Sequence, residues 1–138
     1  MTAAQDWNNQ IIAEFRANEG KVGGPFEGGT LLLLHTVGAR TGQPRVNPVV
    51  YQDIGDGVAV FASKGGAPTN PDWYYNLLAN PRVSAEIGTQ TLPFVARVAE
   101  GAERDRIWTA QKIANPGFAD YERKTTRQIP VLILEPVG

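Results

Sequence analysis

Hydrophobic residues near the start of the chain recur at the spacing of an amphipathic helix. Trp7, Ile11, Ile12 and Phe15 share one helical face, and polar side chains occupy the other. Asp6 precedes this run and has the short polar side chain that an N-cap needs. We therefore expect a helix that begins at Asp6 and packs its apolar face on the rest of the fold.

The next hydrophobic runs have the length and composition of β-strands. Residues 30–37 are apolar on both faces, and the turn sequence over 38–42 connects them to a second strand over 45–51. Aspartate and glycine over 53–57 predict another hairpin turn before a third strand over 58–63. These segments predict a three-stranded antiparallel meander.

Local signals also define the second half of the chain. Asn70 and Pro71 suit the N-cap and first residue of a short helix that ends near Ala79. Pro93 lies in a hairpin that turns about Gly88, and proline there favours an edge position or a bulge. The later predicted elements are strands over 82–87 and 91–98, helices over 103–112 and 116–124, and a closing strand over 129–135.

The order of these elements predicts an α+β fold that is mainly β, with helices segregated from an antiparallel sheet. The strands do not alternate with helices, which argues against a Rossmann fold. Closing or half-closing six strands into a barrel would bury them and remove their free edges. A chain of 138 residues has the size of one domain, which we expect to span residues 1–138.

The charge balance and the absence of cysteine restrict the function further. A net charge of −1 lacks the basic excess of nucleic-acid binders, so we expect no nucleic-acid partner. Without cysteine, disulfides and thiolate metal sites are excluded, which suits the reducing cytoplasm. No segment reaches the roughly 18 apolar residues of a membrane span, and no signal peptide is evident. We expect a cytoplasmic location, with peripheral contact at a membrane left open.

Metal and hydrolytic chemistry find little support among the side chains. His35 is the only histidine and lies in an apolar strand, with no thiol to complete a metal site. Ser63 and Ser84 have no second histidine to form a triad, and His35 is distant from acidic residues in the sequence. We interpret His35 as a structural residue and expect no metal.

Four cations stand beside glycines or at strand ends, where the hairpins can bring them to one rim: Lys21, Arg40, Arg45 and Lys64. Guanidinium groups bind phosphates and carboxylates through charge-assisted, often bidentate hydrogen bonds, and amides exposed in glycine loops add donors. The pattern predicts an anion site. The same spacing also fits solvated cations beside glycines that only turn the chain.

An aromatic run opens the helix that follows the last of these cations. Trp73, Tyr74 and Tyr75 would offer stacking surface to a planar ligand, and the amides at the helix start would lie beside the anion site. Trp73 and Leu77, one turn apart, are as well suited to anchor the helix in the core. The run therefore indicates either a ligand wall or a packing surface.

Four motifs at matching intervals resemble the deazaflavin-dependent nitroreductase family. They are GARTGQPRVNP over 38–48, SKGG over 63–66, NPDWYYNL over 70–77 and RQIPV over 127–131. Lys21 and the glycines after it also fit the family's entry loop, so the resemblance extends from about Trp7 to the end. It implies an FMN-binding split-barrel-like fold and transfer of a hydride from reduced coenzyme F420 to a quinone, enone or nitro compound.

The resemblance also implies which residues bind the coenzyme, a deazaflavin with a phosphodiester and an oligoglutamate tail. The cations and Thr41 would meet phosphate or tail carboxylates, the backbone of Asn47 to Val49 would follow the ring, and the aromatic helix would close the pocket. The implied cofactor-binding residues are Lys21, Ala39, Arg40, Thr41, Arg45, Val46, Asn47, Pro48, Val49, Phe61, Ala62, Ser63, Lys64, Gly65, Asp72, Trp73, Tyr74, Tyr75 and Asn76.

The resemblance leaves the chemistry to the coenzyme, so the protein needs only to hold the ring against an electrophile in an apolar pocket. Tyr121 is the only phenol in a segment that is richer in tyrosine among relatives that reduce bulky nitro compounds. We interpret Tyr121 as the candidate donor of a hydrogen bond or proton to the acceptor. Donation by solvent and a structural role for Tyr121 are the alternatives.

Two other functions fit the same barrel. A split barrel that binds FMN or FAD also needs phosphate and ring contacts, and a carrier would hold the coenzyme without turnover. The arginines suited to carboxylates favour F420 over the flavins. We also expect a homodimer, because a split barrel commonly buries its open side against a second copy.

Overall fold

The structure is a computed structural model that describes residues 3–20 and 31–137, with side chains from Asn8 onward. The helices are α1 (Ala3–Ala17), α2 (Asp72–Ala79), α3 (Gly101–Ala114) and α4 (Gly117–Lys124). The strands are β1 (Leu31–Val37), β2 (Pro44–Asp53), β3 (Val58–Phe61), β4 (Arg82–Ile87), β5 (Gln90–Val98) and β6 (Val131–Pro136). Lys21 and most of its predicted loop lie outside the described residues.

The six strands form a closed antiparallel barrel in the order β1-β2-β3-β6-β5-β4. The predicted meander of β1, β2 and β3 is confirmed, as is the hairpin of β4 and β5. β6 joins β3 to β5 and so completes the wall. The predicted six-stranded barrel with flanking helices is therefore correct.

The apolar run in β1 is buried on both faces because each face has its own cover. Leu32 and Leu34 point into the barrel, whose core also includes Trp73. Leu31 and Leu33 point outward and pack with Phe15 of α1. Alternation along one strand thus builds the barrel interior and the docking surface of α1 together.

A second hydrophobic layer fixes α3 and α4 on the outside of β3 and β6. Phe61 at the end of β3 contacts Trp108 of α3 and Phe118 of α4, with ring centroids 5.9 and 5.6 Å apart. Trp108 also donates a hydrogen bond to Glu122 of α4. These contacts hold α4 beside the point at which the chain leaves β3.

The structure corrects the predicted starts of two helices. α1 begins at Ala3, so Asp6 lies inside it and is not its N-cap, since alanine continues a helix readily. Pro71 has an extended ψ of 155° and is the N-cap of α2, whose first residue is Asp72. The predicted cap, Asn70, instead directs its side chain oxygen to an arginine described below.

The structure also tests the predicted end of β3 and the predicted position of Pro93. β3 ends at Phe61 rather than Ser63, because the chain turns away from the wall after Ala62. Pro93 pairs with Ser84 in a continuous register, which excludes a bulge, and the ladder between β5 and β6 begins only at the next residue. Pro93 therefore pairs with β4 on one side only, which corresponds to the predicted edge position. None of the helices that the structure describes is long and apolar enough to cross a membrane.

Candidate functional site

The backbone that leaves β3 bends sharply at Ser63 and Lys64. Ser63 has right-handed helical angles, φ −77° and ψ −38°, and Lys64 follows with a left-handed φ of 47°. Successive right- and left-handed residues turn their N–H groups toward one concave side, an arrangement called a nest that binds anions. Neither of the two N–H groups donates to a carbonyl of the described residues. We call this bend the Ser63–Lys64 nest.

The left-handed lysine indicates that neighbouring structure fixes the bend. A non-glycine residue in this region costs about 1–2 kcal/mol. The turn is closed by Gly66, whose N–H donates to Ser63 O at 2.9 Å, and by Ala67, whose N–H donates to Lys64 O at 3.1 Å. Gly66 has a φ of 83°, and a Cβ there would lie 2.7 Å from Tyr121 O. Only glycine lets the turn approach α4 this closely.

The side chain of Arg127 holds the bend through hydrogen bonds to residues on both sides of it. Its guanidinium donates to the carbonyl oxygens of Ala62, Ser63 and Ala67 at 3.1, 2.8 and 3.0 Å, and to Asn70 Oδ1 at 2.7 Å. One side chain thus ties the end of β3 to the start of α2. The RQIPV motif contains this arginine, whose contacts are not evident from the sequence. An arginine two residues before an Ile-Pro pair is the only signal that the sequence offers.

Asn76 joins α2 to the turn between β1 and β2. Its Oδ1 accepts from the N–H of Ala39 at 2.9 Å, and its Nδ2 donates to Thr36 Oγ1 at 3.3 Å. The side chain is buried and uses both polar atoms within the protein. Asn76 therefore fixes the turn that carries Arg40 and Thr41, both of which are exposed.

The aromatic run divides between the core and the surface. Trp73 is 7% exposed and belongs to the barrel interior, so it anchors α2 in the core, which was one of its two predicted roles. Tyr74 and Tyr75 form an edge-to-face pair with centroids 5.2 Å apart, and Tyr75 is 48% exposed. The Tyr75 hydroxyl also accepts a hydrogen bond from Asn70 at 3.4 Å. The ring surface available to a ligand is thus that of the two tyrosines.

The predicted residues of β2 alternate in the barrel wall. Val49 points into the core, Val46 packs outward near α1, and Arg45 is exposed where the strand begins. Arg45 and Arg82 line a cavity of about 390 Å³ at the end of β1, whose lining includes no residue of the Ser63–Lys64 nest or α2. The structure therefore offers two separate surfaces. The nest, with converging amides and a lysine, is the one suited to a phosphate.

Tyr121 lies on the face of α4 beside the nest. Its backbone contacts the Gly66 turn, and its half-buried ring packs edge-to-face on Phe118 at 5.3 Å. Lys124 places its Nζ 5.9 Å from the ring centroid. Within residues 3–20 and 31–137 the Tyr121 hydroxyl makes no hydrogen bond, so it is available to a ligand.

The predicted anion-binding cations that the structure describes differ from most of the other described cations in having no carboxylate partner. Within the described parts of the chain, Arg40, Arg45 and Lys64 have no carboxylate within 4.0 Å, although Lys64 Nζ donates to Thr69 Oγ1 at 3.3 Å. The ion pairs of the described residues involve other carboxylates: Glu86, Glu103, Asp105, Asp120, Glu122 and Glu135. Unpaired cations around the turns leave charge available to an anionic ligand.

His35 has an acidic neighbour in space, contrary to the sequence argument. Its Nε2 lies 2.6 Å from Glu86 Oε2, because β1 and β4 are adjacent in the wall. Arg16 of α1 binds the same carboxylate at 2.8 and 3.1 Å. Hydrogen bonds from Arg16 lower the pKa of Glu86, and His35 acts in the same direction. The cluster anchors α1 to the barrel and supports a structural role for His35.

Comparison with known proteins gives one consistent result. Residues 7–136 match the family profile described as F420H(2)-dependent quinone reductase. An F420H(2)-dependent quinone reductase of Mycobacterium tuberculosis is 37% identical over 126 residues, which cover 88% of this chain and 85% of that protein. A second quinone reductase of the same organism, named as putative, is 39% identical over 107 residues, 78% of this chain and 89% of its own.

Two solved structures share the fold at substantial sequence identity. One is described as an F420-H2 dependent reductase; it is 42% identical, has a TM-score of 0.70 and aligns over 77% of this chain and 94% of its own. The other is described as a domain-swapped dimer; it is 37% identical, has a TM-score of 0.72 and aligns over 96% of this chain and all of its own. The similarity thus extends over both the barrel and its helices.

Proposed function

Because this chain belongs to the F420H(2)-dependent quinone reductase family, we propose that it transfers a hydride from reduced coenzyme F420 to a quinone. The observation that carries the proposal is the Ser63–Lys64 nest, whose two amides donate to no carbonyl of the described residues and whose closing turn contacts the backbone of Tyr121. An anion site on a turn that contacts the tyrosine-bearing helix α4 suits a phosphorylated cofactor and an acceptor that develops negative charge.

The donors around the nest fit the phosphate of this coenzyme. The two amides and the Lys64 ammonium would bind its phosphate oxygens, and Arg40 and Thr41 would reach further anionic groups from the neighbouring turn. The backbone of Asn47 to Val49 would follow the ring, as the resemblance implies; this segment pairs with β1, and the pairing of β2 with β3 begins only at Tyr51. The other residues that the resemblance implies remain part of the same proposal.

When bound, reduced F420 supplies a hydride, so the chain needs no nucleophile or metal of its own. The protein's contribution is to hold the ring and the quinone in contact and to exclude water. Tyr121 would donate a hydrogen bond to the quinone oxygen, on which negative charge grows as the ring accepts the hydride. Its ring is fixed by Phe118, so the donor is positioned before the acceptor arrives.

We further propose a homodimer in the cytoplasm. A neighbour that is 37% identical is described as a domain-swapped dimer, which supports self-association of this chain. The absence of cysteine supports the reducing compartment. Enones and nitro compounds are further acceptors that the proposed chemistry would allow.

The test is oxidation of reduced F420 by menadione, with an activated alkene as a second acceptor. We expect catalysed oxidation with both, a slower chemical step when deuterium occupies the transferring carbon, and deuterium bound to carbon in the alkene product. Tight binding without any turnover would support the carrier instead. Turnover with reduced FMN but not with reduced F420 would support the flavin alternative.

A further inference from the structure

We propose that Arg127 is a positioning residue that orients the two amides of the Ser63–Lys64 nest toward an anionic group of the ligand. The inference rests on the proposed function for the identity of that ligand, and on the hydrogen bonds of Arg127 for the mechanism. Arg127 lies 64 residues from Ser63 in the sequence and donates to Ser63 O at 2.8 Å. No residue of the nest itself supplies this contact.

The geometry of the peptide bond links these carbonyls to the amides of the nest. In a trans peptide the C=O of one residue and the N–H of the next point in opposite directions. The described chain has no cis peptide. Fixing Ala62 O on Arg127 therefore directs the N–H of Ser63 away from the guanidinium, and fixing Ser63 O does the same for the N–H of Lys64. The two oriented amides are those that define the nest.

Two further bonds keep the guanidinium in place behind the bend. Its Nε donates to Ala67 O at 3.0 Å, just after the turn, and Nη1 donates to Asn70 Oδ1 at 2.7 Å. The carbonyls before and after the turn thus converge on one planar group, as the fork geometry of arginine allows. A lysine has a single nitrogen and cannot span these acceptors.

Arg127 also adds charge on the protein side of the nest. It is half-buried, and no carboxylate of the described residues lies within 4.0 Å of it. A partly buried cation is screened less by water than an exposed one. Its positive charge therefore favours an anion bound to the amides in front of it.

Arg104 provides a matched control for a purely structural role. It is a buried arginine that, like the half-buried Arg127, donates to a backbone carbonyl, that of Ile129, at 2.7 Å. It lies over the Trp108 ring, and its side-chain hydrogen bonds within the described residues go to Asp105 and Ile129 rather than to the turn after β3. Loss of either arginine should weaken the fold, but only loss of Arg127 should release the nest.

The experiment compares Arg127→Gln, Arg127→Lys and Arg104→Gln in the full chain. For Arg127→Gln we expect cofactor affinity to fall about 10- to 100-fold, the effect of one charged-group hydrogen bond, while kcat at saturating F420 changes less than about 3-fold. Arg127→Lys should recover only part of the affinity, because it restores charge without the fork. Arg104→Gln should lower the thermal midpoint and leave cofactor affinity within about 2-fold of wild type.

A second measurement is independent of the cofactor. Inorganic phosphate should raise the thermal midpoint of the wild type and of Arg104→Gln, and it should do so less for Arg127→Gln. Equal phosphate responses and equal cofactor affinities in all variants would overturn the inference. If the wild type responds to phosphate in this way but neither binds nor oxidises reduced F420, the proposed function fails while the positioning of the nest stands. If Arg127→Gln does not fold, Arg127→Lys decides the same comparison.

Discussion

Replacing Gly66 by alanine tests whether contact between the turn and α4 shapes the site. Gly66 has a φ of 83°, and an added Cβ would lie 2.7 Å from Tyr121 O and 2.9 Å from Lys124 Cβ. Gly55 has a similar φ of 95°, but its Cβ would meet no atom within 4 Å. The pair of variants therefore shares the backbone strain and differs in the collision.

The magnitudes follow from these two contributions. Left-handed alanine costs about 1–2 kcal/mol, which should be the whole effect of Gly55→Ala. At Gly66 the collision with backbone adds the cost of overpacking, typically about 1–3 kcal/mol. We expect Gly66→Ala to lower the free energy of unfolding by about 2–5 kcal/mol in total. α4 should also be pushed away from the nest, taking Tyr121 with it.

The assay is urea denaturation of both variants, followed by steady-state oxidation of reduced F420 by menadione. Gly66→Ala should lose kcat in addition to stability, whereas Gly55→Ala should keep wild-type kinetics. Equal losses of stability in the two variants, with unchanged kinetics in both, would refute the contact between the turn and α4 as the constraint on this glycine.

Three other outcomes follow from the described contacts. Tyr121→Phe should leave stability within about 0.5 kcal/mol and lower quinone turnover about 10- to 100-fold; an unchanged rate with several quinones would assign Tyr121 to packing. Arg45 lies outside the nest, so Arg45→Ala tests whether anionic groups of the bound cofactor extend to the start of β2: it should weaken cofactor binding by about 1.5–3 kcal/mol and reduce its salt dependence, and unchanged affinity and salt dependence would confine the anion site to the nest. The pKa of Glu86 is lowered, so its contribution to stability is complete above the unfolded pKa of about 4.3 and is lost as pH falls through the native value. Glu86→Gln should flatten acid unfolding in that range, which pH titration of the denaturation midpoint would measure.

The barrel was predictable because its determinants are local. Four consecutive leucines, turn residues at each hairpin and alternating strands specify the order of elements without knowledge of any distant contact. The identity of Gly66 and the cations at the turns likewise indicated where an anion site would lie. The nest falls within the segment that the sequence had marked for phosphate.

The remaining features depend on contacts between residues far apart in the sequence. Asn70 has the ideal side chain for an N-cap, but Arg127 binds its oxygen, so Pro71 takes that position. His35 and Glu86 are 51 residues apart and meet only because β1 pairs with β4. Local propensity cannot anticipate such partners, and for the same reason the hydrogen bonds of Arg127 to residues 62–70 were not predicted.

Arg127 lies just before β6, so its hydrogen bonds to the end of β3 can form only when the last strand is in place in the barrel. Ala62 N–H also donates to Pro130 O at 3.0 Å, so the segment before β6 binds both sides of the same peptide region. The nest therefore loses these supporting hydrogen bonds in a chain in which β6 has yet to join the wall. A ligand that recognises the nest selects the closed barrel, and each molecule bound opposes the opening of the last strand. Cofactor supply in the cell would then govern how long the protein survives as well as how fast it works.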